Sequence, residues 1–216
     1  MSFTIEDLRA RLGGRAPGRR AAPGSDEAAP PRPRGDHDLE PATWTQGRVL
    51  TPAAVLVPLV AEPAGFSLLL TKRTTHLRDH AGQVAFPGGR AEPEDGSPET
   101  TALREAMEEI GLRPDQVTLL GRLDTYVTGT GYEVTPVVGL LTPPLVLRPD
   151  PHEVAEIFQV PLDFFLQPAS RQLMSREWKG RSRQFYAYPY GDYFIWGATA
   201  GMVNNLAELL AAALES

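Results

Sequence analysis

Three glutamates at helical spacing are the residues of this sequence best suited to chemistry. Glu105, Glu108 and Glu109 stand at positions i, i+3 and i+4, so on a helix their side chains cluster on one side. Like charges at this spacing repel each other by roughly a few tenths of a kcal/mol per pair. A divalent cation reverses the sign, and Mg²⁺ takes carboxylate oxygens beside a phosphate while it keeps several waters. The spacing predicts a Mg²⁺ site, with Mn²⁺ as the alternative; a solvated acidic helix face is the competing interpretation.

The residues around the glutamates predict the helix that positions them. Ser97 is a good N-cap, Pro98 suits the first helical position, and Gly111 suits the position after the last turn. We therefore predict a helix over about 98–110. Its apolar residues share one predicted face, opposite the glutamates: Ala102, Leu103, Ala106, Met107 and Ile110.

Before this helix, the run Phe86-Pro87-Gly88-Gly89 allows the backbone to approach a ligand closely, because glycine has no Cβ. Together with Arg104-Glu105, Glu108-Glu109 and Gly111-Leu112, Gly89 resembles the Nudix box. The stretch departs from that pattern in two ways. One extra residue lies between Gly89 and Arg104, and Gly96 occupies the usual first glutamate position, where Asp95 or Glu94 is the nearby substitute.

A second match resembles the motif of coenzyme A pyrophosphatases, a subfamily of the Nudix hydrolases. It comprises Leu69-Leu70-Thr71-Lys72-Arg73, then Arg78, Gly82 and the Phe86–Gly89 run, with Thr74 in place of the usual small residue. The resemblance implies an α+β fold, a Nudix-type α/β/α sandwich with a mixed β-sheet. It also implies metal-dependent hydrolysis of coenzyme A at its diphosphate, which gives 4′-phosphopantetheine and adenosine 3′,5′-bisphosphate.

The predicted metal ligands are three carboxylates and one main-chain carbonyl: Glu105, Glu108, Glu109 and Gly88. We expect Glu153 to be the general base, because a later family segment places acidic residues there; Glu109 is the alternative base, and an ordinary solvated glutamate is the other interpretation of Glu153. Arg104 is expected to orient a carboxylate.

The predicted substrate contacts are Arg73 and Arg78, since guanidinium groups bind phosphate oxygens through paired hydrogen bonds. Surface ion pairs are the alternative for both arginines. His80 is a weaker addition to this set. Tyr132 is predicted to stack on adenine, with a core tyrosine as the alternative.

Composition narrows the class of protein. The 216 residues contain no cysteine, which excludes disulfides, thiolate metal sites and a cysteine nucleophile, and the formal net charge of −6 argues against a nucleic-acid partner. The longest apolar stretch is far below the roughly 20 residues of a membrane helix. We expect a cytoplasmic protein without a targeting segment, acting on a small molecule, with monomer and homodimer both open.

The chain is predicted to comprise residues 1–44, with a short helix within 3–12 and a flexible Pro/Gly/Ala/Arg-rich linker from 13 to 36, and a Nudix domain over 45–216. Within the domain, we predict strands at 53–60 and 66–71 around a turn at 62–65, and further strands at 117–126 and 133–141. A short helix is predicted at 153–158, a hairpin at 183–196 with its turn at Gly191-Asp192, and a last helix at 199–214.

Two rival functions use the same scaffold. One is hydrolysis of ADP-ribose, NADH or a dinucleoside polyphosphate, against which the segment from Arg73 to Phe86 argues. The other is a non-catalytic Nudix-fold binding module, which is expected to have lost helix carboxylates that this chain retains.

Overall fold

The computed structural model describes residues 3–13, 33–41, 47–77, 80–178 and 180–211. The helices of this part are α1 (Ile5–Leu12), α2 (Pro98–Ile110), α3 (Leu162–Leu166) and α4 (Gly197–Ala211). Its strands are β1 (Arg34–Gly35), β2 (Thr51–Glu62), β3 (Gly65–Arg73), β4 (Val84–Ala85), β5 (Gly88–Arg90), β6 (Val117–Arg122), β7 (Tyr126–Val127), β8 (Tyr132–Leu141), β9 (Val154–Pro161), β10 (Gln172–Trp178), β11 (Arg181–Tyr190) and β12 (Tyr193–Trp196).

The large sheet is mixed, as predicted. Its strands follow the order β1-β7-β8-β2-β3-β4, with β5 paired to β2, β6 to β8 and β9 to β3. The central pair β2–β8 is parallel over ten residues, from Thr51 opposite Tyr132 to Val60 opposite Leu141. The strands β10, β11 and β12 form a separate antiparallel sheet, and the turn between β11 and β12 is the predicted Gly191-Asp192.

Helices cover both faces of the large sheet, which confirms the predicted α/β/α sandwich. On one face, α2 packs against β2 and β8 around a cluster that includes Leu56, Leu69 and Ile110. On the other face, residues of α1, α3 and α4 join the larger cluster, for example Leu8, Phe165 and Leu206. No helix in the described part is both long and apolar enough to cross a membrane. The functional site lies on the face that α2 covers.

Residues 153–158, predicted as a short helix, are instead mostly strand, because β9 begins at Val154. β9 pairs antiparallel with β3, and its side chains alternate in direction: Phe158 and Val160 join the larger core, whereas Ile157 packs on the face of α2. β-Branched and aromatic residues favour strands when a neighbouring strand is available to pair with them. The helix prediction was wrong because this pairing is non-local.

The predicted strand 117–126 is also divided. β6 ends at Arg122 and β7 begins at Tyr126, with a register shift between Leu119 and Gly121. A Cβ on Gly121 would lie 2.1 Å from the carbonyl oxygen of Leu12, so this irregular point of the strand is where the end of α1 packs.

The predicted flexible linker is wrong for its last residues. Arg34 and Gly35 pair in parallel with β7, and residues 36–38 form a 3₁₀ turn that buries His37. The side chain of Arg34 donates to Asp38 (2.7 Å) and to Glu208 of α4 (3.0 Å), so buried polar contacts hold the segment. Residues 14–32 of the predicted linker lie outside the described residues.

Candidate active site

Helix α2 begins and ends as its capping residues predict. The Ser97 side chain accepts the N–H of Thr100 (3.2 Å), Pro98 is the first helical residue, and Gly111 adopts the left-handed conformation at the end (φ 67°). Ala102, Ala106 and Ile110 are fully buried against the sheet. Met107, which we placed on the apolar face, is 47% exposed, because the buried stripe is narrower than predicted.

Glu109 is a buried carboxylate, only 4% exposed, although we predicted all three glutamates on the side opposite the apolar stripe. One of its oxygens accepts the N–H of Gly88 at 3.3 Å. Burial raises the pKa of Glu109 to about 8, and the nearby Arg73 guanidinium opposes part of that rise. A positive charge at this position would therefore stabilise the carboxylate form.

Glu105 lies one helical turn earlier and faces the same bend. A Cβ on Gly89 would lie 2.6 Å from its carboxyl atoms, so a larger residue at this position would displace the Glu105 carboxyl group. Burial also raises the pKa of Glu105, while Arg104 lowers it. Glu105 and Glu109 thus both point towards the Gly88-Gly89 backbone of β5.

Arg104 connects the loop before α2 to the acidic side of the helix. Its Nε and Nη2 donate to the two oxygens of Asp95 at 2.9 and 3.0 Å, and its Nη1 donates to Glu105 (2.9 Å) and Glu108 (3.2 Å). Asp95 is 9% exposed and also accepts the hydroxyl of buried Thr101 at 2.8 Å. These hydrogen bonds hold the pKa of Asp95 well below its usual range.

Asp95 is therefore the acidic-loop residue that pairs with Arg104, whereas Glu94 is exposed. The sequence left both candidates open, because Glu94 and Asp95 are adjacent acidic residues and the sequence does not show which side chain points inward. Buried Thr101, which contacts Asp95 from six residues further along the chain, was not singled out from the sequence.

Arg73 and Glu153 face the helix carboxylates from β3 and from the turn before β9. The Arg73 guanidinium lies 3.6 Å from Glu109 and 3.7 Å from Glu153, just beyond hydrogen-bonding distance in both cases. Its Nε is buried and has no hydrogen-bond partner among the described residues. Arg73, Glu109 and Glu153, which are far apart in the sequence, thus lie close together as predicted site residues.

The side chains and backbone around the Gly88-Gly89 bend supply oxygen atoms, which are the ligands that Mg²⁺ prefers. Their chemistry therefore fits a Mg²⁺ ion. Glu105 and Glu109 supply carboxylates, the Gly88-Gly89 bend supplies backbone, and Glu108 stands at the rim with a side chain that is 60% exposed. Within the described residues, no three carboxylate or imidazole side chains already stand at metal-site spacing. The charges of these glutamates are balanced by arginines, since Arg104 bonds to Glu105 and Glu108 and Arg73 faces Glu109.

The remaining predicted contacts are less closely placed. Arg78 lies outside the described residues. His80 is exposed in the turn before β4, where its ring bonds to Gln83 (2.9 Å). Tyr132 is 39% exposed at the start of β8, so it is not a core tyrosine. Among the described contacts, none joins His80 or Tyr132 to the carboxylates.

The chain resembles known proteins in sequence. The sequence profile of the NUDIX domain matches residues 50–179. The Nudix hydrolase NudL of Photorhabdus laumondii, itself uncharacterized, is 47% identical over 156 residues, which cover 72% of this chain and 83% of that protein. NudL of Escherichia coli K12, also uncharacterized, is 44% identical over 155 residues, or 72% of this chain and 80% of that protein.

Among solved structures, the Nudix hydrolase RenU of M. smegmatis matches with a TM-score of 0.50 and 22% identity, over 78% of this chain and 96% of that one. This likeness shows a shared fold. The fold, the acidic helix at a glycine bend and the sequence relatives together define the class: the chain belongs to the Nudix family. It is a Nudix hydrolase, an enzyme that acts on pyrophosphate bonds of nucleotide substrates, and such enzymes use divalent metal ions such as Mg²⁺.

Proposed function

We propose that this enzyme hydrolyses the diphosphate of coenzyme A to 4′-phosphopantetheine and adenosine 3′,5′-bisphosphate, with Mg²⁺ as the cofactor and Mn²⁺ as the alternative. One observation carries the proposal. Arg73 and the Gly88-Gly89 pair, which stand at opposite ends of the subfamily motif, both lie beside carboxylates of the Nudix helix. This proximity supports the proposal that the motif resembling coenzyme A pyrophosphatases contributes to the reaction site.

Glu105 and Glu109, with Glu108 at the rim and the Gly88 carbonyl, are the groups that would hold the cation. When bound, the metal ion neutralises phosphoryl charge and lowers the pKa of an attacking water. Arg104 keeps Glu105 and Glu108 in place through its anchor on Asp95. Because the loop fixes Arg104, the carboxylates are oriented before the substrate arrives.

Glu153 is our candidate for the group that takes the proton from the attacking water. Its side chain is 48% exposed and lies beside Arg73 rather than within the buried cluster, so water has access to it. Glu109 is the alternative base. A general base must lie within hydrogen-bonding reach of the water, directly or through one water molecule.

Arg73 is proposed as a phosphate contact that also positions the carboxylates. Its two ion pairs are longer than hydrogen bonds, so its donors remain available to substrate oxygens. Arg78, His80 and Tyr132 remain proposed substrate contacts on the strength of the resemblance and their residue types.

A product assay tests the proposed substrate. We expect Mg²⁺-dependent release of adenosine 3′,5′-bisphosphate from coenzyme A, faster than turnover of ADP-ribose, NADH or a dinucleoside polyphosphate. Preferred hydrolysis of ADP-ribose would reject coenzyme A as the substrate. Activity that is unchanged by EDTA would reject the metal requirement.

Glu109→Gln tests the site. The substitution keeps the size of the buried side chain but removes the charge that would hold the cation. We expect kcat for coenzyme A to fall by at least about a thousandfold, with an unchanged circular dichroism spectrum. Near-normal turnover would reject the role of Glu109.

A further inference from the structure

A groove lies on the same face of the large sheet as the carboxylates, with a volume of about 660 Å³. One wall is formed by β3 and β9, and the other by the extended segment 145–149. The main lining residues are Leu69, Leu145, Leu147, Pro149, Ile157 and Gln159.

Backbone hydrogen bonds connect one wall of the groove to the helix that carries the carboxylates. The N–H of Asp150 donates to the carbonyl of Glu109 (2.8 Å), so the segment 145–149 is held against the end of α2. The N–H of Glu153 donates to the carbonyl of Asp150 (3.1 Å), which closes the turn that leads into β9. From Glu153 to Ile157 is four residues, at most about 13 Å along the strand. A ligand with one end at the metal-binding carboxylates can therefore extend into the groove.

The lining suits an uncharged, partly apolar chain. None of the lining residues is charged, so the groove provides no partner for a phosphate. In contrast, the cavity of about 480 Å³ at the other end of α2 is bordered by Glu92, Asp95 and Glu133, which disfavour an apolar chain. The two cavities thus offer different chemistry on the two sides of Glu105 and Glu109.

β9 adds hydrogen-bonding groups to this surface. It pairs with β3 along one edge, and its other edge pairs with no strand in the described part of the chain. The ring of Phe158 stacks on Tyr193 with a centroid distance of 3.7 Å, within the core of the opposite sheet face. Phe158 is also among the residues that line the groove. A free strand edge hydrogen-bonds an extended chain of amides, as it does in peptide recognition by strand addition.

We propose that this groove binds the pantetheine arm of coenzyme A, an inference that rests on the proposed function. The arm is uncharged and carries two amides, which match the free edge of β9. Its dimethyl carbon lies next to the phosphate end and would pack on Leu147 and Ile157, close to Glu153. Ligand pockets of about 300–1,000 Å³ commonly combine apolar walls with a few polar groups in this way.

The test measures inhibition by each of the two products, because each product carries one half of the substrate. Gln159→Trp places an indole in the groove at an exposed strand position, and Gln172→Trp makes the same change at an exposed position of β10 as the control. We expect the inhibition constant of 4′-phosphopantetheine to rise about tenfold in Gln159→Trp, or about 1.4 kcal/mol. The constant for adenosine 3′,5′-bisphosphate should change by less than about twofold in both variants.

Leu147→Ala is a second variant, which removes contact surface instead of adding bulk, and it should also weaken 4′-phosphopantetheine selectively. If the wild-type enzyme hydrolyses coenzyme A but neither variant changes the constant for 4′-phosphopantetheine, the groove assignment is wrong and the proposed function stands. If Gln159→Trp changes the oligomeric state measured by sedimentation but not that constant, the groove is an interface between two copies of this chain, and the proposal is overturned. Absence of coenzyme A hydrolysis by the wild-type enzyme would reject both proposals.

Discussion

At the scale of single residues, the unusual feature of this site is an acidic side chain in a buried place. Glu109 is 4% exposed, and its contacts are one backbone N–H and the more distant guanidinium of Arg73. Removing a carboxylate from water disfavours its charged form unless opposite charge compensates it. We interpret Glu109 as a residue whose environment is completed by a bound cation.

This interpretation predicts the pH dependence of stability in the metal-free protein. The pKa of Glu109 is about 8 in the folded state and near 4.5 when unfolded, so the folded state binds the extra proton between these values. The contribution of this group to stability is therefore lost as pH rises from about 4.5 to 8. We expect Glu109→Gln to be more stable than wild type in EDTA at pH 9, by at least about 2 kcal/mol, and to show a smaller loss between pH 5 and 9.

Urea unfolding at several pH values measures this difference. Glu108→Gln is the control, because it removes a carboxylate from the same helix at a site that is exposed. Equal slopes of unfolding free energy against pH in wild type and Glu109→Gln would contradict the interpretation.

The sequence predicted this cluster in part. Helical spacing predicted that Glu105, Glu108 and Glu109 share a side of α2, because residues at this spacing are neighbours on any helix. It did not show that Glu109 would be buried, since the rotation of α2 on the sheet depends on how Ala102 and Ala106 pack. That rotation is a tertiary property.

At the scale of elements, the loop before α2 fixes the arginine that orients the carboxylates. Asp95 holds Arg104 through two hydrogen bonds and is itself held by Thr101 and by the N–H of Glu92. Removing one partner of such a pair leaves the other charge without compensation. The loop and the helix are therefore expected to act as one unit.

We expect Asp95→Ala to lower the unfolding free energy by about 2 kcal/mol and kcat by about tenfold or more, because Arg104 loses its anchor. The neighbouring Glu94→Ala is the control, since Glu94 is exposed, and it should change neither quantity. Chemical denaturation and steady-state kinetics measure both. Equal effects of the two substitutions would remove Asp95 from its assigned role.

The ends of α2 have local signals and were predicted correctly, whereas β9 depends on a distant pairing partner and was not. Ser97, Pro98 and Gly111 mark the ends of α2 through contacts within a few residues. β9 was mistaken for a helix because its pairing partner β3 lies more than eighty residues earlier in the chain. Periodicity alone does not distinguish short apolar helices from strands.

At the scale of the whole molecule, the N-terminal residues belong to the core of the sandwich. Leu8 and Leu12 of α1 are fully buried, and Asp36 accepts the hydroxyl of Tyr126 (2.8 Å). These contacts join residues far apart in the chain, so the sequence predicted a short helix within 3–12 and a linker after it, but not their packing on the domain. The boundary that we predicted at residue 45 stays a prediction about domains, while α1 packs on β6 and α4.

Leu8→Ala tests this packing. Removal of a fully buried leucine costs about 2–5 kcal/mol, which at about 2–4 °C per kcal/mol for a chain of this size lowers Tm by roughly 4–20 °C. Arg9→Ala, on the exposed side of α1, should leave Tm nearly unchanged. Calorimetry of both variants measures the difference, and a Tm of Leu8→Ala within about 1 °C of wild type would show that α1 does not contribute to the fold.

The central claim is that Glu105, Glu109 and the Gly88 carbonyl hold a divalent cation. Anomalous diffraction from crystals of the wild-type enzyme grown with Mn²⁺ tests it most directly. We predict an anomalous peak about 2.0–2.3 Å from oxygens of both carboxylates, next to the glycine bend, and its loss in Glu109→Gln. A Mn²⁺ peak elsewhere in the molecule, with Arg73 and Arg104 still paired to these glutamates, would contradict the claim.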